Sequence, residues 1–246
     1  MIEETKPKLT PALDNLEMAL KTWFKQLKKF VMVYVWSFLY SLIPALISMA
    51  LVAASVRYGA DNGLLSALMI LGAGLAGLVA MYFAIRGQIG AFLLIKKDYA
   101  GDELDIYKET RPWFWPYLGL SLLSALFVLL WSLLLIIPGI IYAVFYSFAA
   151  FVFFFEDKRG RAAIRRSTEL VTGYWWPVFG RLLLVAIFIW AILSIVSWPL
   201  VSLVKDSTPW HLYNSFVQLM SFLVGPIVLV YSYNIYQDLI KLKAKG

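Results

Sequence analysis

Residues 114–155 read FWPYLGLSLLSALFVLLWSLLLIIPGIIYAVFYSFAAFVFFF, an apolar run without a single charge. As one helix it would be about 60 Å long, roughly twice the hydrocarbon core of a bilayer. Its strongest internal punctuation is Pro138-Gly139, a turn dipeptide. Folding back there gives two membrane spans, 114–137 and 140–155. Charge decides between the two readings. Cytoplasmic loops retain Lys and Arg, and a single crossing would carry the basic stretch 158–166 to the outer side. The run is therefore read as a hairpin.

The same logic extends in both directions. Apolar runs at 30–56, 63–85, 176–204 and 216–236 complete a set of six spans, each near or above the length needed to cross. Twenty of the 22 Lys and Arg residues then fall on one side, and only Arg57 and Lys205 fall on the other. Both termini are expected to be cytoplasmic. The expected class is an all-α integral membrane bundle of six transmembrane helices in three hairpins, in a prokaryotic cytoplasmic membrane. Composition agrees: the chain is 61% hydrophobic and 15% charged, against about 25% charged in soluble domains. The net charge of +7 does not point to nucleic acid, because the basic residues flank segments that water cannot hydrate. With no Cys, thiol chemistry and disulfides are excluded. Met1 to Lys8 shows no cleavable signal sequence.

Three parts are expected: an N-terminal cytoplasmic or interfacial helix (1–29), the six-helix domain (30–240) and a basic tail (241–246). Leu13, Leu16, Leu20, Trp23, Phe24 and Leu27 recur at helical spacing opposite Asp14, Glu17, Lys21, Lys25 and Lys28. This stretch either lies in the membrane interface before the chain turns inward or packs on the protein's own cytoplasmic face. Gly72, Gly74 and Gly77 in the second span suit close helix packing. Pro44, Pro199 and Pro226 mark bends or breaks. Trp115-Pro116 and Trp176-Pro177 each open a hairpin after a charged segment, a faint internal repeat.

The most specific stretch runs from Pro138-Gly139-Ile140-Ile141 through Glu156-Asp157, Arg159-Gly160 and Ala162-Ala163-Ile164-Arg165-Arg166-Ser167. It continues through Leu170-Val171 and Gly173 to Trp175-Trp176 and Phe179. It resembles the six-helix membrane proteins of the YciC-like group and the membrane domain fused to some glycerophosphoryl diester phosphodiesterases. The resemblance covers about 40 residues and agrees with the spacing of the whole chain. It implies a role in envelope or lipid homeostasis and supplies no catalytic residue. The phosphodiesterase members carry their chemistry in a separate soluble barrel, which is not expected here.

Arg161, Arg165, Arg166 and Arg181, with Ser167, Trp175 and Trp176, are candidate contacts for a lipid phosphate, since guanidinium forks match phosphate oxygens. The bland alternative is that these arginines set topology and pair with Glu156, Asp157 and Glu169. Arg181 lies about one turn inside its span, where a charge needs a partner, and Glu156 with Arg181 is a candidate structural ion pair. His211 with Asp206 offers two ligands, short of a metal site. Ser121, Ser124, Ser194 and Ser197 read as interhelical hydrogen-bonders, and Gln88 and Gln218 as cavity-lining or helix-joining groups. No catalytic constellation, metal or cofactor is expected. The expected function is non-enzymatic, through contacts with membrane lipids, anionic ones included, or with a second copy or another membrane protein. A permease for a small amphiphile is the alternative, and an enzyme acting on lipid phosphodiesters ranks below it.

Overall fold

In the computed structural model the run 114–155 breaks at Leu135, which is fully extended (φ −160°, ψ 145°), and not at Pro138-Gly139. Residues 9–58, 62–202, 205 and 208–244 are described. Among these the chain forms nine α-helices and two short 3-10 segments, without a strand. Helix α1 spans Ala12–Tyr58, α2 Gly63–Lys96, α3 Glu103–Glu109, α4 Phe114–Leu134 and α5 Ile136–Tyr146. Helix α6 spans Ala149–Phe155, α7 Arg161–Val171, α8 Trp175–Ser197 and α9 Thr208–Ala244. Six stretches are long and apolar enough to cross a membrane: Ala12–Tyr58, Gly63–Lys96, Glu103–Leu133, Ile136–Phe155, Trp175–Leu200 and Leu212–Ala244. Each expected span falls on one of them, so the all-helical, six-span class stands.

The Pro-Gly dipeptide has a different job from the one expected. Pro138 sits in the first turn of α5, where a missing N–H costs nothing. Gly139 permits a close approach: a Cβ there would lie 2.1 Å from Ser132 Oγ and 3.0 Å from Ser132 Cα. Beyond this contact Trp131 stacks on Tyr142 at 4.2 Å and Phe127 lies 6.3 Å from Tyr146, the pairing order of antiparallel neighbours. Gly139→Ala is expected to destabilise the fold by about 1–3 kcal/mol through overpacking, with part of the loss recovered in Ser132→Gly/Gly139→Ala. Unfolding midpoints of the purified chain in lipid nanodiscs check this. Equal midpoints for the parent and Gly139→Ala would refute the contact.

Other boundaries also shift. Helix α1 is one helix of 47 residues, about 70 Å long, so the chain does not turn between the amphipathic stretch and the first span. It passes through Pro44 without ending, as α9 passes through Pro226. A proline removes one helical hydrogen bond and bends a helix, and flanking turns can still carry it on. The breaks expected at those prolines are therefore absent, while α8 does end at Ser197, before Pro199 in a 3-10 segment. Lys241 and Lys243 belong to the last turn of α9 and not to a separate tail. Lys245 lies outside the described residues, as do Met1 to Lys8, Asp61 and Asp206; the His211 side chain is likewise not described.

The chain divides into two units, 28–118 and the rest. In the first, Ser37 and Ser48 of α1 donate to the carbonyls of Phe83 and Ala73 on α2, both at 2.8 Å. Gly72 faces Leu51 and Gly77 faces Ser48, while Gly74 faces open space. The small residues of α2 thus serve packing within the chain at two of three positions. In the second unit, residues 12–27 of α1 pack antiparallel on α9. Asn15, buried, donates to Tyr231 O at 3.3 Å and accepts from Asn234 at 2.8 Å, and Trp23 Nε1 donates to Leu223 O at 3.1 Å. Leu16 and Ala19 are buried there, whereas Leu13 and Phe24 point outward. On the outer side Lys21 lies 2.5 Å from Glu17 and, by hydrogen bond and charge, holds its carboxyl below the usual range.

Candidate lipid headgroup site

The stretch from Pro138 to Phe179 folds as α5, α6, α7 and the first turns of α8, and its charged centre is α7 with the two turns that bound it. Gly160 precedes α7 at φ +52°, ψ −129°, and Gly173 follows it at φ +87°. Both conformations are costly for a residue with a Cβ, so Gly160 and Gly173 fix where the helix begins and ends. Between them Ala163, Ile164, Ser167, Leu170 and Val171 are buried. That is one face at helical spacing. The charged residues take the remainder.

Ser167 does structural work that its place in the motif did not disclose. The chain between α5 and α6 loses its helical path at Ser147-Phe148, although neither Pro nor Gly lies there. Ser167 Oγ donates to Phe145 O at 2.6 Å and accepts from Phe148 N at 3.2 Å. Its side chain is wholly buried, so both the donor and the acceptor of the hydroxyl are committed to this break. Ser167 is thus turned away from any headgroup.

The arginines divide. Arg161 and Arg165 line a cleft of about 370 Å³. Thr168, Glu169 and Thr172 continue its polar wall, and Phe127, Tyr142, Tyr146 and Ile164 form the apolar wall. Arg165 Nε stands 3.7 Å from Glu169 Oε1. Arg166 instead turns to Glu156, with Nε 3.1 Å from Oε2. Glu156 follows the last residue of α6 and also meets Lys158 Nζ at 3.2 Å and the Tyr236 hydroxyl, which donates at 3.2 Å.

The expected Glu156–Arg181 pair is therefore replaced. Glu156 is engaged by Arg166, Lys158 and Tyr236, and Arg181 reaches the backbone before α1. Arg181 donates from Nε to Thr10 O at 3.1 Å, from Nη2 to Thr10 O at 2.7 Å and to Leu9 O at 3.2 Å, and from Nη1 to Pro177 O at 2.9 Å. Thr10 N in turn donates to Asp238 Oδ2 at 2.9 Å. The Leu9 and Thr10 carbonyls precede α1 and have no helical donor to satisfy them, and a guanidinium with five N–H groups suits several at once. Trp175 Nε1 donates to Ile141 O at 3.2 Å and its ring stacks on Phe179 at 5.0 Å. Trp176 is exposed. Of the seven candidate contacts, Arg161 and Arg165 line the cleft. The other five do not.

Several residues escaped the sequence reading. Thr168 and Thr172 share the α7 face of Arg161 and Arg165 and could have been found from helical spacing alone. Tyr142 and Tyr146 looked like ordinary span aromatics. Lys243 donates to Thr172 O at 3.0 Å and lies 5.8 Å from the Tyr174 ring, a cation at a helix C-terminus. In the 28–118 unit Arg86, counted before only as a cytoplasmic charge, is buried. Its Nε donates to Thr110 Oγ1 at 2.7 Å and its Nη2 to Tyr107 O at 2.9 Å, with the guanidinium 4.5 Å from the Tyr107 ring. Of the serines expected to join helices, Ser197 bonds the Ser194 carbonyl of its own helix, and Ser124 Oγ is buried with no partner among the described residues. Gln88 and Gln218 are exposed.

Comparison of the chain with protein-family models, with curated proteins and with solved structures finds no match.

Proposed function

We propose that this chain is a non-enzymatic membrane protein that crosses a prokaryotic cytoplasmic membrane six times, in three hairpins with both ends inside. It acts in membrane-lipid homeostasis by holding a phosphate-bearing lipid at α7. The one-sided distribution of Lys and Arg supports the orientation, and the motif from Pro138 to Phe179 supports kinship with the YciC-like group. The observation that carries the functional reading is the cleft itself. Arg161 and Arg165 stand on one helix face against Phe127, Tyr142 and Tyr146, which places phosphate-binding donors beside an apolar wall suited to a lipid. Arg161→Ala/Arg165→Ala is expected to lower phospholipid retained through purification about tenfold, equivalent to roughly 1.4 kcal/mol. Native mass spectrometry reads this directly. Retention equal to that of the parent chain would overturn the proposal.

A further inference from the structure

The polar wall of the α7 cleft changes character along its length. At its N-terminal end Arg161 and Arg165 offer only donors. At its C-terminal end the Thr168 hydroxyl donates to Ile164 O at 3.0 Å and the Thr172 hydroxyl to Thr168 O at 2.7 Å. With their protons spent, the two oxygens can present only lone pairs to the cleft. Glu169 between them adds an acceptor that carries charge. A purely anionic headgroup would match the first end and meet a carboxylate at the second. A headgroup with a phosphate and a primary ammonium joined by a two-carbon bridge matches both, because it sets an anion and an N–H donor a few ångströms apart, and Arg165 and Glu169 stand one helical turn apart on the same face.

The unliganded ion pair is consistent with such an occupant. Arg165 and Glu169 are separated by 3.7 Å and are mostly exposed, and Glu169 is equally far from Arg166 Nη1. These distances exceed the 2.7–2.9 Å or so of a charged hydrogen bond. A ligand bearing both charges can replace each side of so loose a pair at little cost.

A second cleft adjoins the first. It has a volume of about 770 Å³, shares Tyr146 as a wall, and is otherwise apolar along α4 and α5, with Leu122, Leu126 and Leu129 among its lining. Ser124 on the same wall has its hydroxyl buried with no partner among the described residues. Buried hydroxyls are nearly always bonded. That hydroxyl has no exposed surface, so a change of its rotamer toward the cleft is what would offer it the ester carbonyl of a glycerolipid.

We propose that the α7 cleft takes the phosphoethanolamine head of a diacyl phospholipid, with phosphate on Arg161 and Arg165, ammonium on Thr168, Glu169 and Thr172, and an acyl chain in the cleft beyond Tyr146. The assignment rests on the reading of α7 as a phospholipid site. Quaternary choline has no N–H to give to Glu169 or the threonines, and phosphatidylglycerol has hydroxyl donors for the threonines but no cation to set against the Glu169 carboxylate, so its match is the weaker. Neither satisfies the whole acceptor end.

The test uses the full chain in nanodiscs of equal phosphatidylethanolamine, phosphatidylglycerol and phosphatidylcholine with identical acyl chains, and lipids retained on ejection are weighed by native mass spectrometry. Phosphatidylethanolamine is expected to be enriched about tenfold over phosphatidylcholine, roughly 1.4 kcal/mol. The enrichment should fall stepwise through the N-monomethyl and N,N-dimethyl lipids as N–H donors are lost. Glu169→Gln, checked for an unchanged unfolding midpoint, is expected to abolish most of the enrichment of phosphatidylethanolamine over phosphatidylcholine. Retention that depends on Arg161 and Arg165 but ignores the amine overturns the ethanolamine assignment alone. Retention indifferent to Arg161 and Arg165 overturns the lipid site with it.

Discussion

Ser167→Ala is expected to destabilise the chain by about 2–5 kcal/mol, a large effect for removal of one oxygen. The hydroxyl is the donor to Phe145 O and the acceptor from Phe148 N at the point where α5 gives way to α6. Phe148 is wholly buried, so no water replaces the lost partner. Each buried backbone group left unpaired costs about 1–3 kcal/mol, and alanine strands two of them. Ser167→Thr keeps the hydroxyl but adds a methyl group on a face that is already buried, and should fall between alanine and the parent. Ser197→Ala is the control. Among the described residues that hydroxyl bonds the Ser194 carbonyl of its own helix, and its loss should stay within about 0.5 kcal/mol. Unfolding midpoints in nanodiscs distinguish the three. Equal midpoints for Ser167→Ala and Ser197→Ala would show that Ser167 does not hold the break.

The second large effect concerns Arg181. Arg181→Ala removes three hydrogen bonds to the Leu9 and Thr10 carbonyls, and hydrogen bonds to charged groups contribute about 1.5–3 kcal/mol each in isolation. Because the three share one guanidinium and two carbonyls, a local loss of about 2 kcal/mol is expected, or roughly thirtyfold faster amide exchange over residues 12–16. Residues nearer Trp23 should be little affected, since Asn15 and Trp23 still tie α1 to α9. Arg181→Lys keeps the charge but not the fork and should recover only part of the protection. Hydrogen–deuterium exchange of the intact chain reads the result. Exchange at 12–16 unchanged by Arg181→Ala would mean that the start of α1 is held elsewhere.

These two residues also show what a sequence can and cannot disclose. The spans were legible because twenty apolar residues in a row have few other uses, and their charged borders repeat. The extra break at Ser147-Phe148 was not legible, because its cause is a side chain on another helix and its own residues are ordinary helix formers. Conversely, Pro44 and Pro226 announced breaks that neighbouring turns absorb. Arg181 stood out correctly as a charge in need of a partner. Its partners are backbone carbonyls, which carry no residue signature, and so Glu156 was offered to Arg181 as well as to the loop arginines, of which Arg166 takes it. On α7 the two cleft arginines were found because guanidinium groups advertise anion chemistry, whereas Thr168 and Thr172, which helical spacing places on the same face, show their acceptor role only through the carbonyls that their hydroxyls bond.

The staple at Ser167 also orders events in time. Until α7 docks, an uninterrupted α5–α6 helix is the state that leaves fewest backbone groups unpaired in lipid. The break is therefore expected to form as α7 docks and supplies the missing hydroxyl. Maturation of this region is a late straightening in reverse: a helix first made whole, then opened by the segment that follows it.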